Sequence, residues 1–281
     1  MVTRADKVEA FRGMHQAVRG FIVPNPWDVG SARLLAGLGF GALATTSAGF
    51  ANSEGGADYT LTRETVIDHC RKLCESVDVP VSADLENGFG DTPDACAETV
   101  RLGAEAGLAG GSIEDFTGIA TPRQYEIQVA KARIEASVEA AKAVEGGFVL
   151  TARAENFFTG EPDLDDTIAR LQAYQEAGAD VLYAPGLRTM EDIKSVLYNV
   201  DRPLNVLLGP FEGFVPLSDV LDLGVARISL GPALSNAAYG ALHTAAKALL
   251  SEGDLGFLAS AIDSDLRDKL LMTGAASHSQ S

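Results

Sequence analysis

Val79-Pro80-Val81-Ser82-Ala83-Asp84, Leu85-Glu86-Asn87-Gly88-Phe89-Gly90 and Asp91-Thr92-Pro93 stand in unbroken succession. The first run is β-rich and apolar until a carboxylate closes it. The second is a polar, glycine-rich turn, and the third is a helix start in which Pro93 suits the first turn. A strand that feeds a helix through an acidic loop is the unit from which parallel sheets wrapped by helices are built.

The same unit recurs on both sides of it. Strands are predicted at Phe21-Ile22-Val23-Pro24, Ala42-Leu43-Ala44-Thr45-Thr46, Gly111-Ser112-Ile113-Glu114 and Phe148-Val149-Leu150-Thr151-Ala152-Arg153. Three more follow at Asp180-Val181-Leu182-Tyr183, Pro203-Leu204-Asn205-Val206-Leu207 and Val225-Ala226-Arg227-Ile228-Ser229-Leu230. Helices are predicted to start at Asp28, Thr62 and Asp91-Thr92-Pro93, with ends marked by Gly37-Leu38-Gly39, Gly103, Gly107 and Gly178. Eight such units in 281 residues point to an α/β fold, a single (β/α)8 TIM-type barrel.

Beyond the last strand, Pro232 to Glu252 reads as a long Ala-rich helix and Leu255 to Leu271 as a further amphipathic one. A barrel needs only the first, so the extra helix is expected to pack on a neighbouring subunit. One domain with a C-terminal helical extension is predicted over residues 1–274, with a disordered tail at 275–281.

The excess of 39 acidic over 22 basic residues gives a formal charge of −17, which disfavours nucleic acid and anionic membranes as partners. A small anion stays admissible, because a metal ion and one well-placed Arg can invert the local field. Met1-Val2-Thr3-Arg4-Ala5-Asp6-Lys7 leads into no apolar stretch of secretory type, and no run is long enough to span a bilayer. The expectation is a cytoplasmic protein. Cys70, Cys74 and Cys96 are too few for a disulfide framework, and they read as helix-core thiols.

Chemistry in a barrel sits at the C-terminal ends of the strands. There Asp84 and Glu86 occupy alternate positions, which in an extended strand point to one side, and two carboxylates that close need a cation. With no His or Cys nearby, a hard, oxygen-ligated Mg²⁺ is the natural choice and Mn²⁺ a possible substitute. Glu114 and Asp115 end the next strand, and Asp58 stands in the second βα loop. The plain alternative for any one of these acids is a helix cap.

Arg153 ends an otherwise apolar strand. Its burial requires an anion, either a substrate carboxylate or Glu155 and the site acids, and these two readings are compatible. Thr45-Thr46-Ser47-Ala48-Gly49 is small enough to let backbone N–H groups approach a carboxylate. Gly37-Leu38-Gly39-Phe40-Gly41 precedes a strand rather than following one, which argues against a dinucleotide fingerprint. His15, His69, His243 and His278 all lie off the strand ends, which leaves a histidine-based triad without support.

Taken in order, Pro24-Asn25-Pro26-Trp27-Asp28, Thr46-Ser47, Asp58, Asp84 through Gly90, Ile113-Glu114-Asp115 and Arg153-Ala154-Glu155 resemble the isocitrate lyase/phosphoenolpyruvate mutase superfamily. The resemblance runs from about Phe21 to the last strand. It implies Mg²⁺ bound directly by Asp84, with Glu86, Glu114 and Asp58 holding its waters. It also implies Thr46, Ser47 and Arg153 around the carboxylate of a 2-oxo acid, with Ala48 and Asn205 in the same binding set and Arg153, Asp58 and Glu114 in catalytic roles. A homotetramer, a dimer of dimers built on exchanged C-terminal helices, is what the family implies for assembly.

The departures narrow the activity. The lyases carry a Lys-Cys-Gly-His motif whose Cys is the acid, and between Asp84 and Arg153 this chain has only Cys96, on a predicted helix. The phosphonate branch continues after the Glu-Asp pair with a gating loop that contains Lys and Asn. Here Phe116 to Gln124 is shorter and has neither, and the sixth strand ends in Tyr183-Ala184-Pro185-Gly186 without the mutases' His.

The expectation is a Mg²⁺-dependent carbon–carbon lyase acting on a small 2-oxo diacid, by oxaloacetate-type decarboxylation or retro-Claisen cleavage. P–C bond chemistry on a phosphonopyruvate-like substrate is the alternative, and a non-catalytic 2-oxo acid binder the third. Phe116 to Gln124 is expected to act as a lid, with Arg123 contacting the distal carboxylate.

Overall fold

The computed structural model describes residues 2–118, 123–160, 162–209 and 216–277. Its strands are β1 (Phe21–Val23), β2 (Leu43–Ala44), β3 (Val81–Asp84), β4 (Gly110–Glu114), β5 (Val149–Arg153), β6 (Val181–Tyr183), β7 (Leu204–Leu207) and β8 (Arg227–Ser229). Seven fall inside the runs expected from the sequence, and β4 begins one residue earlier, at Gly110. They form one parallel sheet in the order β1-β8-β7-β6-β5-β4-β3-β2, so the first and last strands are neighbours and the sheet curls into a (β/α)8 barrel.

The helices are α1 (Arg4–His15), α2 (Val29–Gly37), α3 (Ser47–Ser53), α4 (Arg63–Ser76), α5 (Pro93–Glu105) and α6 (Ile127–Ala143). They continue with α7 (Leu164–Ala177), α8 (Met190–Asn199), α9 (Leu217–Asp222), α10 (Ala233–Glu252) and α11 (Ser264–Thr273). The expected caps form. Asp28 accepts from Ser31 N at 2.6 Å, Thr62 from Thr65 N at 3.3 Å, and Thr92 from Ala95 N at 3.2 Å. Gly178 ends α7 at φ +101°, a backbone state that a side chain disfavours.

Strand alternation separates two cores. Outward residues such as Ile113, Leu150, Leu182, Val206 and Ile228 pack under the surrounding helices. Inward residues low in the barrel, Val23, Val149 and Val181, pack on Phe11 of α1, which plugs the floor. Higher up, the inward positions are Ser82, Ser112, Thr151, Asn205, Arg227 and Ser229, all buried. A barrel interior is ordinarily filled with branched apolar side chains, so this polar layer needs an explanation.

β1 and β2 share no ladder, and the seam is closed by other means. Ala44 N donates to Pro24 O at 3.1 Å. The buried Asn25 amide then ties three strand ends together. Its Nδ2 donates to Thr45 O at 2.9 Å, while its Oδ1 accepts from Leu230 N at 2.8 Å and Gly231 N at 3.0 Å.

Three expectations are corrected. Gly103 lies inside α5, where an added Cβ would come within 3.1 Å of Leu108 Cδ1, so it is a packing glycine and not a terminator. The amphipathic stretch from Leu255 breaks into a 3-10 turn at Gly256–Ser260 and the separate α11, because Asp263 caps a new start by accepting from Leu266 N at 3.0 Å. α11 packs on α2 at backbone distance, since a Cβ at Gly37 would lie 2.1 Å from Leu270 O and one at Gly274 1.9 Å from Arg33 O. Both C-terminal helices still leave apolar side chains uncovered, Leu242 and Leu250 of α10 at 64% and 89% exposure and Leu266 and Met272 of α11 at 49% and 64%. The chain also stays docked past residue 274: Ala275 and Ala276 are buried and Ser277 N donates to Asp78 Oδ2 at 3.0 Å. Residues 278–281, with His278, lie outside the described residues. Among those described, no helix is long and apolar enough to cross a membrane.

Asn25→Ala removes one donor and one acceptor shared by three backbone groups. It is expected to lower unfolding free energy by about 2–4 kcal/mol, read from urea denaturation with an unchanged m value. A loss below about 1 kcal/mol would show that the seam does not depend on this amide.

Candidate active site

At the top of the barrel one guanidinium is shared by three carboxylates. Arg153 Nη1 lies 3.1 Å from Glu114 Oε2 and 3.4 Å from Asp84 Oδ2, and its Nε and Nη2 fork onto Glu155. The Tyr183 ring packs beneath it, 5.2 Å away. Burial works against the charge, but Glu114, Glu155 and Asp84 outweigh it and hold the Arg153 pKa well above its ordinary value. Burial also lifts the partners. Glu155 is pushed up to about 7, and Glu114 well above the usual carboxylate range, each partly offset by Arg153.

Asp84 ends β3 and faces the cavity. Its backbone N–H donates to Thr45 Oγ1 at 2.9 Å, and its Oδ2 accepts from Ser47 Oγ at 3.0 Å. Glu86 departs from the expected alternation. The chain turns at φ +48° there, so Glu86 leaves the strand and lines the adjoining pocket with Tyr59 and Asn87. Its carboxyl is pushed up to about 8 by burial first, then by Asp84 and Asp58. The loop that carries it is anchored from α6, where the buried Arg133 donates to Gly90 O at 2.8 Å and also to Asn87 O.

Asp58 sits on an exposed loop at the cavity wall. Desolvation of its carboxyl, followed by the charge of Asp84, raises its pKa. Beside it Tyr59, at φ +60°, donates its hydroxyl to Glu114 Oε1 at 2.7 Å. The Tyr59 ring meets Phe116 edge-on at 5.0 Å. Sequence reasoning missed Tyr59, and a tyrosine in a polar loop carries no signal that would have found it.

The second strand end is more regular than a turn. Thr46 caps α3 by accepting from Gly49 N at 3.2 Å, which places Thr46, Ser47 and Ala48 along the cavity. The absence of a side chain at Gly49 is explained by packing, since a Cβ there would lie 2.5 Å from Thr46 Cγ2 and 3.3 Å from Trp27 Cβ.

Three candidates sit elsewhere than expected. Asp115 points away from the cavity, into a network with Arg170 Nη1 at 3.0 Å, Tyr174 Oη at 2.6 Å and Glu155 N at 2.9 Å, so it braces β4 and β5 against α7 rather than capping a helix. Arg123 is exposed, donates to Thr159 O and does not line the cavity. Asn205 does line it, but deep in the barrel, where its Oδ1 accepts from Arg227 Nε at 2.9 Å and its Nδ2 donates to Ser229 Oγ at 3.0 Å. Arg227 was missed, although its signal was the one that singled out Arg153: a charge within an otherwise apolar strand.

Of the expected lid, Phe116 and Gln124 form an antiparallel bridge and Thr117 N donates to Arg123 O at 2.8 Å, while residues 119–122 lie outside the described residues. Cys70, Cys74 and Cys96 are free and buried, as expected of helix-core thiols, and burial pushes each thiol up. The acid of the lyases therefore has no counterpart in Cys96.

Asp58, Asp84, Glu86, Glu114 and Glu155 cluster around the single guanidinium of Arg153. At an effective dielectric near 20, two like charges 4 Å apart repel by about 4 kcal/mol, so the cluster favours a further cation. Glu114 Oε2 is buried, and although Arg153 Nη1 stands 3.1 Å away it makes no aligned hydrogen bond among the described residues, which leaves it capacity for a donor such as a cation-bound water. No three His, Cys, Asp or Glu side chains converge as a cage among the described residues. That arrangement is compatible with Mg²⁺, which usually takes one or two carboxylates and keeps its waters. The residues present fit such an ion.

Residues 11–250 match the family model described as phosphoenolpyruvate phosphomutase. A solved protein of Burkholderia cenocepacia J2315, provisionally described as a lyase/mutase, is 49% identical over 96% of this chain and 97% of its own, with a TM-score of 0.93. An uncharacterized protein of Mycobacterium tuberculosis (strain ATCC 25618 / H37Rv) is 32% identical over 84% of this chain and 87% of its own. An oxaloacetate decarboxylase of Bradyrhizobium diazoefficiens is 30% identical over 85% and 86% respectively.

Beneath the site, burial and the neighbouring Arg227 hold His15 down to about 3, against about 6.5 in an unfolded chain. The unfolded state therefore takes up a proton that the folded state refuses. Stability present above pH 6.5 is expected to fall as pH drops toward 3, by about 1.4 kcal/mol per pH unit from this group. Urea midpoints of the wild type and His15→Gln between pH 7 and 4.5 check this: the variant should show the shallower slope.

Proposed function

The chain belongs to the phosphoenolpyruvate phosphomutase family, within the isocitrate lyase/phosphoenolpyruvate mutase superfamily, and from that premise we propose a Mg²⁺-dependent lyase that cleaves a C–C bond in a small 2-oxo diacid. The observation that carries this reading is the excess of carboxylates around Arg153, with Asp84 open to the cavity. Asp84 would hold the ion directly, and Glu86, Glu114 and Asp58 its waters. A phosphonopyruvate hydrolase that shares the fold, at 24% identity and a TM-score of 0.81, was solved with oxalate and Mg²⁺. When bound, the ion supplies Lewis-acid charge against the oxygen that becomes anionic as the bond breaks.

The chain's own residues do the rest. Arg153 offers its positive charge to the carboxylate next to the oxo group, and Glu114, Glu155 and Tyr183 hold the guanidinium in place. Ser47 steadies Asp84, and the start of α3 sets the small residues that let a substrate approach. Decarboxylation is favoured within this reading because it asks for no thiol acid: the carbanion can take its proton from solvent. The described cavity lining includes Arg153 and Arg227 but no lysine, so phosphoryl transfer lacks its usual flexible cation.

The test is a Mg²⁺-dependent turnover assay read by product NMR. Oxaloacetate should yield pyruvate and CO₂, or acetate and oxalate if cleavage is hydrolytic, while phosphonopyruvate should release no phosphate. Asp84→Ala should lower kcat/KM by about 10³-fold, since several kcal/mol of charge stabilisation goes with the ion. Arg153→Lys should act mainly by raising KM, about 10- to 100-fold. Mg²⁺-dependent oxalate binding without turnover of any 2-oxo diacid would mark a binder instead.

We further propose that a second copy of the chain covers the exposed apolar side chains of α10. Leu250→Glu should lower the assembly state in light scattering at fixed protein concentration. An unchanged mass would remove α10 from the interface.

A further inference from the structure

Arg227 opens β8 and is 4% exposed. Its Nε donates to Asn205 Oδ1 at 2.9 Å and its Nη2 to Thr151 Oγ1 at 3.1 Å, and its Nη1 lies 3.4 Å from His15 Nε2. Each of these partners is neutral, His15 because burial and Arg227 itself keep its proton off. Among the described residues Arg227 forms no ion pair, whereas Arg153 one layer above has three. A guanidinium has five N–H donors, and three acceptors leave two of them unused. Burying a cation without a counter-charge is costly, and the cost shows as a pKa pushed down to about 10 by desolvation.

The two arginines line one cavity of about 130 Å³. Thr151, which Arg227 touches, precedes Arg153 by two positions on β5, so the two layers are about 6–7 Å apart along the strand. A four- or five-carbon chain covers that span. Between them Ser82, Ser112 and Ser229 present hydroxyls and little bulk, which keeps the interior open and wettable. Asn205 holds the guanidinium edge-on from one side and is itself braced by Ser229, so the fork is fixed before any ligand arrives.

We propose that Arg227 is the receptor for the far carboxylate of the substrate, so that a 2-oxo diacid lies lengthwise down the barrel axis with its oxo-acid end at Asp84 and Arg153. This rests on the 2-oxo diacid reading of the site above. It assigns the role expected of Arg123 to a residue inside the cavity. It also makes Arg227 the determinant of diacid over monoacid, because a monoacid leaves the buried charge unpaired.

The experiment is calorimetric binding in the presence of Mg²⁺, which needs no turnover. Malate is compared with lactate, 2-oxoglutarate with 2-oxobutyrate, and oxalate reports the upper end of the site alone. Wild type should bind the better diacid about 10- to 100-fold more tightly than its monoacid. Arg227→Gln should lose that preference with oxalate affinity changed less than about 3-fold, and Arg227→Lys should keep part of it. The inference is overturned if wild type shows no diacid preference, or if Arg227→Gln weakens oxalate and diacid alike. Failure of wild type to bind oxalate overturns the metal and oxo-acid site as well. If the Gln variant does not fold, the wild-type ratio and the Lys variant still decide.

Discussion

The sharing of the Arg153 guanidinium among Glu114, Glu155 and Asp84 is the constraint around which the top of this barrel is organised. Each carboxylate comes from a different strand end or loop, so the contact fixes the relative heights of β3, β4 and β5. In a buried site the cost of removing one partner exceeds the worth of the pair, because the remaining charges are left uncompensated. The neighbours follow from this. Tyr59 takes up one oxygen of Glu114, Ser47 one oxygen of Asp84, and Tyr183 supplies a ring face beneath the cation.

The same constraint separates acids that look alike. Asp115 is adjacent to Glu114, yet strand alternation turns it outward, where Arg170 and Tyr174 satisfy it fully. Glu114 turns inward and keeps an oxygen that meets Arg153 without an aligned hydrogen bond. One acid is thereby spent on architecture and the other is available for chemistry, and the difference is one residue of phase.

Much of this was legible in the sequence, for physical reasons. Strands were readable because apolar runs ended in polar residues, and helix starts because Asp28, Thr62 and Thr92 are local caps whose partners lie three residues away. The charge of Arg153 in an apolar strand marked it as buried against anions. What escaped depends on distant pairing or on backbone sign. Glu86 and Tyr59 take positive φ, which no side-chain type announces, so the expected alternation after Asp84 failed at its first step. Arg123 looked apt from its place in the chain, but its guanidinium meets Thr159 O, which is remote in sequence. Asn25 between two prolines gave no hint that it would stitch together the ends of β2 and β8.

The polar middle of the barrel bears on stability as well as binding. Filling those inward positions with branched apolar residues would gain roughly 25 cal/mol for each Å² of apolar surface removed from water. The chain forgoes that gain at Ser82, Ser112, Thr151, Asn205, Arg227 and Ser229 while keeping an apolar floor below them around Phe11. A layer so arranged, small above and charged at its base, resists collapse because Arg227, Asn205, Thr151 and Ser229 hold one another. The floor then acts as a lid from beneath: it covers one side of Arg227 and leaves the other facing the cavity above, from which a counter-charge can reach it.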